Sequence, residues 1–171
     1  MGLRAFRYDD EGSATVEFVL IAPFLLAIVL SVFESGWLMT KYMMLDRGLD
    51  MAIRDVRLMT TPNMTHDQLK TKICDYSLLF RDCETTLIVE LVPVDFTTPY
   101  PANQPRCYDR TGIIAPVIDY TAAGYEQIMF VRACVITDPM FPGIGLGLQL
   151  QKDASGGFQM ISYSAFMSEP N

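Results

Sequence analysis

The chain has 171 residues, half of them hydrophobic, a net charge of −7 and four cysteines. That length holds one anchor segment and one domain with a modest core, and an acidic chain without a basic stripe has nothing to track a phosphate backbone, which excludes nucleic acid as a partner. An even number of cysteines, all in the later part of the chain, suits an oxidising compartment.

Residues 1–12 read as a short polar leader. A Sec-type signal peptide sets a basic region directly against its apolar segment and places the small-residue cleavage site after it. Here Asp9-Asp10-Glu11 intervene and Gly12 precedes the apolar run, so a cut after Gly12 leaves the hydrophobic helix in the mature chain. From Phe18 to Phe33, 16 residues pass without a charge. As a helix they measure about 24 Å, a little short of a bilayer core of about 30 Å. Glu34 stands at the far end, where its carboxylate is expected to reach the interface, and Trp37, Met39 and Tyr42 extend the apolar surface; together they predict one tilted span over residues 16 to 39. Pro23 lies mid-span, where it removes one backbone hydrogen bond and predicts a bend that membrane helices tolerate.

Glu17 is the residue with most to explain. An acid at the centre of a membrane helix costs roughly 2.5 to 3.5 kcal/mol and less near the end, so it is expected to be shallow, neutral or paired. One reading puts it in the first helical turn, where the dipole favours an anion. The other follows from the cut after Gly12: Ser13 then carries a new α-amino group, and Glu17 of one subunit can neutralise that amine on a neighbour packed alongside.

The stretch Gly12-Ser13-Ala14-Thr15-Val16-Glu17-Phe18, its continuation Val19-Leu20-Ile21-Ala22-Pro23-Phe24-Leu25-Leu26 and the later Glu34-Ser35-Gly36 resemble a prepilin processing site, and more specifically the TadE-like minor pseudopilins of tight-adherence (Flp-type) pili. The recognisable part covers about the first third of the chain. The resemblance implies a prepilin peptidase that cuts after Gly12, a role for Glu17 in processing or assembly, and partners among other pilin and minor pilin subunits, an assembly platform in the inner membrane and the lipid bilayer. It implies a single-pass inner-membrane protein with its C-terminal domain in the periplasm, available for incorporation into the extracellular pilus. The cysteines and the resemblance together place the amino terminus inside, since Arg4 and Arg7 before the span are matched by Lys41 and Arg47 after it.

Beyond the membrane the helix is expected to run to Met59. Leu45, Leu49, Ala52, Ile53, Val56 and Met59 recur at spacings of three and four, while Arg47, Asp50, Arg54 and Asp55 lie off that stripe. The stripe is expected to pack on the sheet of its own domain. Thr60-Thr61-Pro62-Asn63 ends the helix, because a proline disfavours helical geometry in the residue before it. Thr65 and Gln68 then form a capping box for a second helix whose apolar face is Leu69, Ile73, Tyr76 and Phe80, with Met64 and Leu69 at the flanking staple positions.

Three strands follow: Thr86 to Val92, Gln127 to Thr137 and Phe158 to Met167, all rich in β-branched or alternating apolar residues. Between the first two lies residues 97–124, a proline-studded loop that has room for a short strand near Ile113 to Tyr120 or a partner surface. The link from Asp138 to Gly157 carries two prolines and five glycines and is expected to turn. The layout is α+β: a leader at 1–12, a long N-terminal helix at 13–62, and an exported domain of a short helix and a small antiparallel sheet at 63–171.

Four cysteines allow three pairings. Cys74 with Cys83, a local bridge, and Cys107 with Cys134, which would tie down the proline loop, is the favoured set. Zinc is not expected, since no Cys-x-x-Cys pair is present, and no cofactor is implied. Nor is catalysis: His66 and Cys74 lie about 12 Å apart along one helix, too far for a base and its nucleophile, and His66 is expected at the surface. Gly143-Ile144-Gly145-Leu146-Gly147 lacks the lysine and hydroxyl of a phosphate loop. The leading expectation is a minor pseudopilin that takes part in pilus initiation, assembly or stabilisation. The alternative is an uncleaved single-span protein whose exported domain binds a ligand or partner.

Overall fold

The computed structural model describes residues 13–58, 64–80, 82–95, 107, 120–121, 127–153 and 155–167. The leader 1–12, the expected helix stop at 60–63 and most of the proline-rich loop lie outside these residues. Within them the architecture is α+β, one long helix laid against a short helix and a three-stranded sheet.

Helix α1 runs from Ser13 to Arg57, 45 residues without a break through Pro23, about 67 Å at 1.5 Å per residue. Its second half has the one-sided pattern of a helix packed on a domain: Leu45, Leu49, Ala52, Ile53 and Val56 are buried, while Arg47, Asp50 and Arg54 are exposed. Met59 falls outside the described residues. The stripe packs on helix α2, His66–Ser77, as well as on the sheet, so the expected sheet contact is only part of its burial. Gly48 makes the approach of the two helices possible: a Cβ there would sit 2.8 Å from the Ile73 carbonyl oxygen and 2.9 Å from the Ser77 Cβ. Each buried leucine in this layer contributes about 1.5 to 3 kcal/mol relative to exposure.

Helix α2 begins as the sequence predicts. The Thr65 hydroxyl accepts from the Gln68 amide at 3.3 Å, and the Gln68 side chain accepts from the Thr65 amide at 3.0 Å. Leu69 and Ile73 are buried, joined by Ser77, while Tyr76 and Phe80 pack at the edge of the core. The helix ends at Leu78, which takes a left-handed conformation with φ 55°. His66 is not a surface residue: its side chain is 20% exposed and meets Tyr120 edge-on at 5.4 Å.

The first strand starts later than the sequence suggests. Cys83–Thr86 forms a single helical turn, α3, because the Thr85 and Thr86 hydroxyls donate to the Asp82 carbonyl at 2.8 and 3.0 Å and so satisfy the turn locally. Strand β1 then spans Ile88–Val94, β2 Ile128–Thr137 and β3 Phe158–Met167. The order is β1-β2-β3, both pairings antiparallel, with Val89 opposite Ala133 and Val135 opposite Met160. Alternate residues Val89, Leu91, Val131, Ala133, Val135 and Met160 therefore face one layer and form the core with α1 and α2. Ser162, on the same face, donates to Asp46 of α1 at 2.7 Å.

On the opposite face Glu90 and Arg132 stand directly across from each other and form a buried ion pair, Arg132 Nε donating at 2.6 Å. Of the expected strand near Ile113 to Tyr120 only its end is described: Tyr120 makes an isolated parallel bridge with Leu91, and its hydroxyl donates to the Met64 carbonyl at 2.7 Å. The link after β2 carries a last short turn, α4, at Leu146–Gln149.

Candidate membrane-spanning and assembly surface

The first half of α1 has no inside. From Val16 to Leu26 the large apolar side chains point outward all round the helix, Phe24 being 73% exposed and Phe18 69%. An apolar helix exposed on every side of its own chain suits a membrane or burial by other protein. It is the one helix among the described residues long and apolar enough to cross a membrane.

Glu17 is exposed on this helix and does not belong to its first turn as described. It lies ten positions before Ala27, where the Gly145 loop comes close to α1, about 15 Å along the axis. Gly12 lies outside the described residues, and Ser13 is the first residue of the described helix, without a described side chain.

The cysteines are brought together in two pairs. Cys74 at the end of α2 and Cys83 at the start of α3 are at disulfide distance, with Cα atoms 5.7 Å apart. Cys107 and Cys134 of β2 are likewise at disulfide distance, Cα to Cα 5.2 Å. No group of three His, Cys, Asp or Glu residues is placed to hold a metal ion among the described residues.

Sequence reasoning missed the junction between the two halves of α1. Glu34 does not reach toward an interface; it is wholly buried, and its two carboxylate oxygens accept the Met140 and Phe141 amides at 2.9 and 2.8 Å. One turn earlier Ser31 donates to the Ala27 carbonyl at 2.6 Å and accepts the Leu146 amide at 3.0 Å. Gly145, at φ 56°, passes so close that a Cβ would land on the Ser31 hydroxyl and 2.8 Å from the Ala27 carbonyl oxygen. An acid and a hydroxyl in a greasy helix thus serve as backbone acceptors for a loop more than 100 positions away. The only sequence signal was the acid itself, which did not name its partner.

Lys41 completes the junction. Its ammonium donates to the Thr137 hydroxyl at 2.5 Å and lies 5.4 Å from the centre of the Trp37 ring. Burial pushes the Lys41 pKa down, against the opposing pull of Asp138 and Glu34.

A helix exposed and apolar on all sides, opened by an acid and joined to a small α+β domain, is the setting in which the comparison with known families decides. Residues 12–54 match the TadE-like protein family. The TadE-like match covers about a quarter of the chain, the whole apolar half of α1 and its packed stripe as far as Ile53. No curated protein and no solved structure matches. A TadE-like segment suggests association with Tad pili and their components.

Proposed function

We propose that this chain is a minor pilin or pseudopilin of a tight-adherence pilus, cut after Gly12 by a prepilin peptidase. It is held in the inner membrane by α1 with its domain in the periplasm, and it takes part in pilus initiation, assembly or stabilisation. The observation that carries this reading is the exposed, charge-free surface from Phe18 to Leu26 with Glu17 at its mouth, inside the segment that matches the TadE-like family.

The chemistry follows from charge in a poor solvent. Cleavage after Gly12 turns the Ser13 nitrogen into an α-ammonium group. An amine and a carboxylate left separately near lipid each carry a desolvation cost, which contact between them offsets. When two helices pack side by side, Glu17 of one copy answers the ammonium of the next, and that pairing sets their axial register. The same helix serves as anchor before assembly and as packing surface afterwards. The paired cysteines act as staples of the exported domain, and the bilayer, the peptidase, the assembly platform and other pilin subunits are the partners.

Mass spectrometry of the mature protein tests this directly. The expected amino terminus is Ser13; membrane-resident protein that begins at Met1 or Gly2 overturns the reading in favour of an uncleaved single-span protein. With processing established, Glu17→Ala is expected to abolish co-assembly with other subunits while leaving the domain folded, and unchanged fibre production would remove the proposed role of the acid.

A further inference from the structure

We infer that the loop from Met140 to Leu150 is a second membrane contact, a collar that sits in the leaflet on the domain's side and beds the domain against the lipid; this rests on the reading of α1 as a membrane span. The first argument is one of length. A core of about 30 Å takes about 20 helical residues, and counted from Ala14 these end near Phe33. Yet the loop already lies on α1 at Ala27 and Ser31, about 9 and 3 Å short of that end. With α1 across a bilayer, the loop is at lipid depth.

The second argument is composition. Residues 139–150 carry no charge, and Met140, Ile144 and Leu148 point outward at 49, 46 and 60% exposure. Their loop is held on α1 by contacts to Glu34, Ser31 and Ala27. A soluble loop seldom exposes three large apolar side chains within nine residues; next to a membrane helix they face the solvent they suit.

The third argument is the backbone. Irregular chain at lipid depth is tolerated only where its polar groups are satisfied internally. Here many of them find partners within the protein: the Met140 and Phe141 amides on Glu34, the Leu146 amide on Ser31, the Ile144 and Leu148 amides on the carbonyls of Phe141 and Gly145, and the Pro142 carbonyl on Lys152. That gives the buried Glu34 a purpose that protein packing alone does not require.

The test uses the full chain in phosphatidylcholine vesicles, with Trp37→Phe as the background so that one new tryptophan reports alone. Leu148→Trp and, separately, Ile144→Trp are expected to lose most of their emission to lipids brominated near the headgroup and less to lipids brominated near the bilayer centre. Phe24→Trp is expected to show the reverse order, and Tyr163→Trp, on the exposed sheet face, neither. Emission from Leu148→Trp and Ile144→Trp that bromination does not change, with Phe24→Trp quenched, overturns the collar and leaves the span standing. An unquenched Phe24→Trp overturns the span itself. Emission shifted to the blue yet insensitive to bromination means that protein covers the loop, which also overturns the proposal. Glu34→Ala, which frees the loop, is expected to reduce the quenching of Leu148→Trp while that of Phe24→Trp stays as it was.

Discussion

Between Phe18 and Leu26 the long helix exposes apolar side chains on every side, whereas between Leu45 and Val56 it buries a single stripe and turns Arg47, Asp50 and Arg54 outward. The two halves are equally helical, and each is rich in Leu, Ile and Val. The difference lies in how charge is distributed around the cylinder. Charge on one side leaves the other to pack on protein; charge on no side leaves nothing for water to solvate. The junction falls at Ala27 to Lys41, where a loop, a buried acid and a half-buried lysine join the two environments.

The sharpest way to break that comparison is to truncate one leucine in each half. Leu49→Ala, at a fully buried position, is expected to cost the domain about 2 to 5 kcal/mol. Leu25→Ala, at an exposed one, is expected to change domain stability by no more than about 0.5 kcal/mol. Thermal unfolding in detergent, followed by near-ultraviolet circular dichroism, measures both. Similar losses would mean that the first half packs within its own chain.

Glu34 sharpens the boundary. Glu34→Ala leaves the Met140 and Phe141 amides without acceptors, at a cost of about 1 to 3 kcal/mol. The loss is local, so hydrogen exchange at those two amides is expected to accelerate far more than exchange in β2. Glu34→Gln, which keeps one carbonyl oxygen, is expected to fall between. Unaltered protection in Glu34→Ala would show that the loop is held by its apolar contacts and not by the carboxylate.

What could be read from the sequence followed from local rules. The Thr65–Gln68 capping box, the apolar stripe of α1 and the strand at Phe158–Met167 obey short-range periodicity and cap chemistry. The start of β1 did not, because Thr85 and Thr86 favour strands by propensity but their hydroxyls closed a helical turn on Asp82 instead. The Glu34 and Ser31 contacts were illegible for a different reason. Hydrogen bonds to backbone amides carry no residue-type signature on the donor side, so nothing in Met140, Phe141 or Leu146 marks them as the partners. His66 failed in the same way: it meets Tyr120, 54 positions on, and no local rule connects them.

The smallest expected effect lies on the packed half, where Asp55 of α1 accepts from Lys72 of α2 at 2.5 Å and from the Tyr76 hydroxyl at 3.2 Å. The hydrogen bond from Lys72 holds the Asp55 carboxyl below its ordinary value, and the same bond raises the ammonium of Lys72. The depressed acid contributes stability that is complete above the ordinary carboxylate pKa of about 3.9 and is lost as pH falls through its folded value. The raised lysine contributes stability that is complete below about 10.4 and is lost as pH rises through its folded value. The pair is partly exposed, so the whole contribution is under about 1 kcal/mol. Lys72→Met removes the charge and keeps the stem. The stability gap between wild type and Lys72→Met is therefore expected to be open near about pH 7 and to close near about pH 2. A gap of constant size across that range would assign the contribution of Lys72 to packing of its stem along α1 and not to its charge.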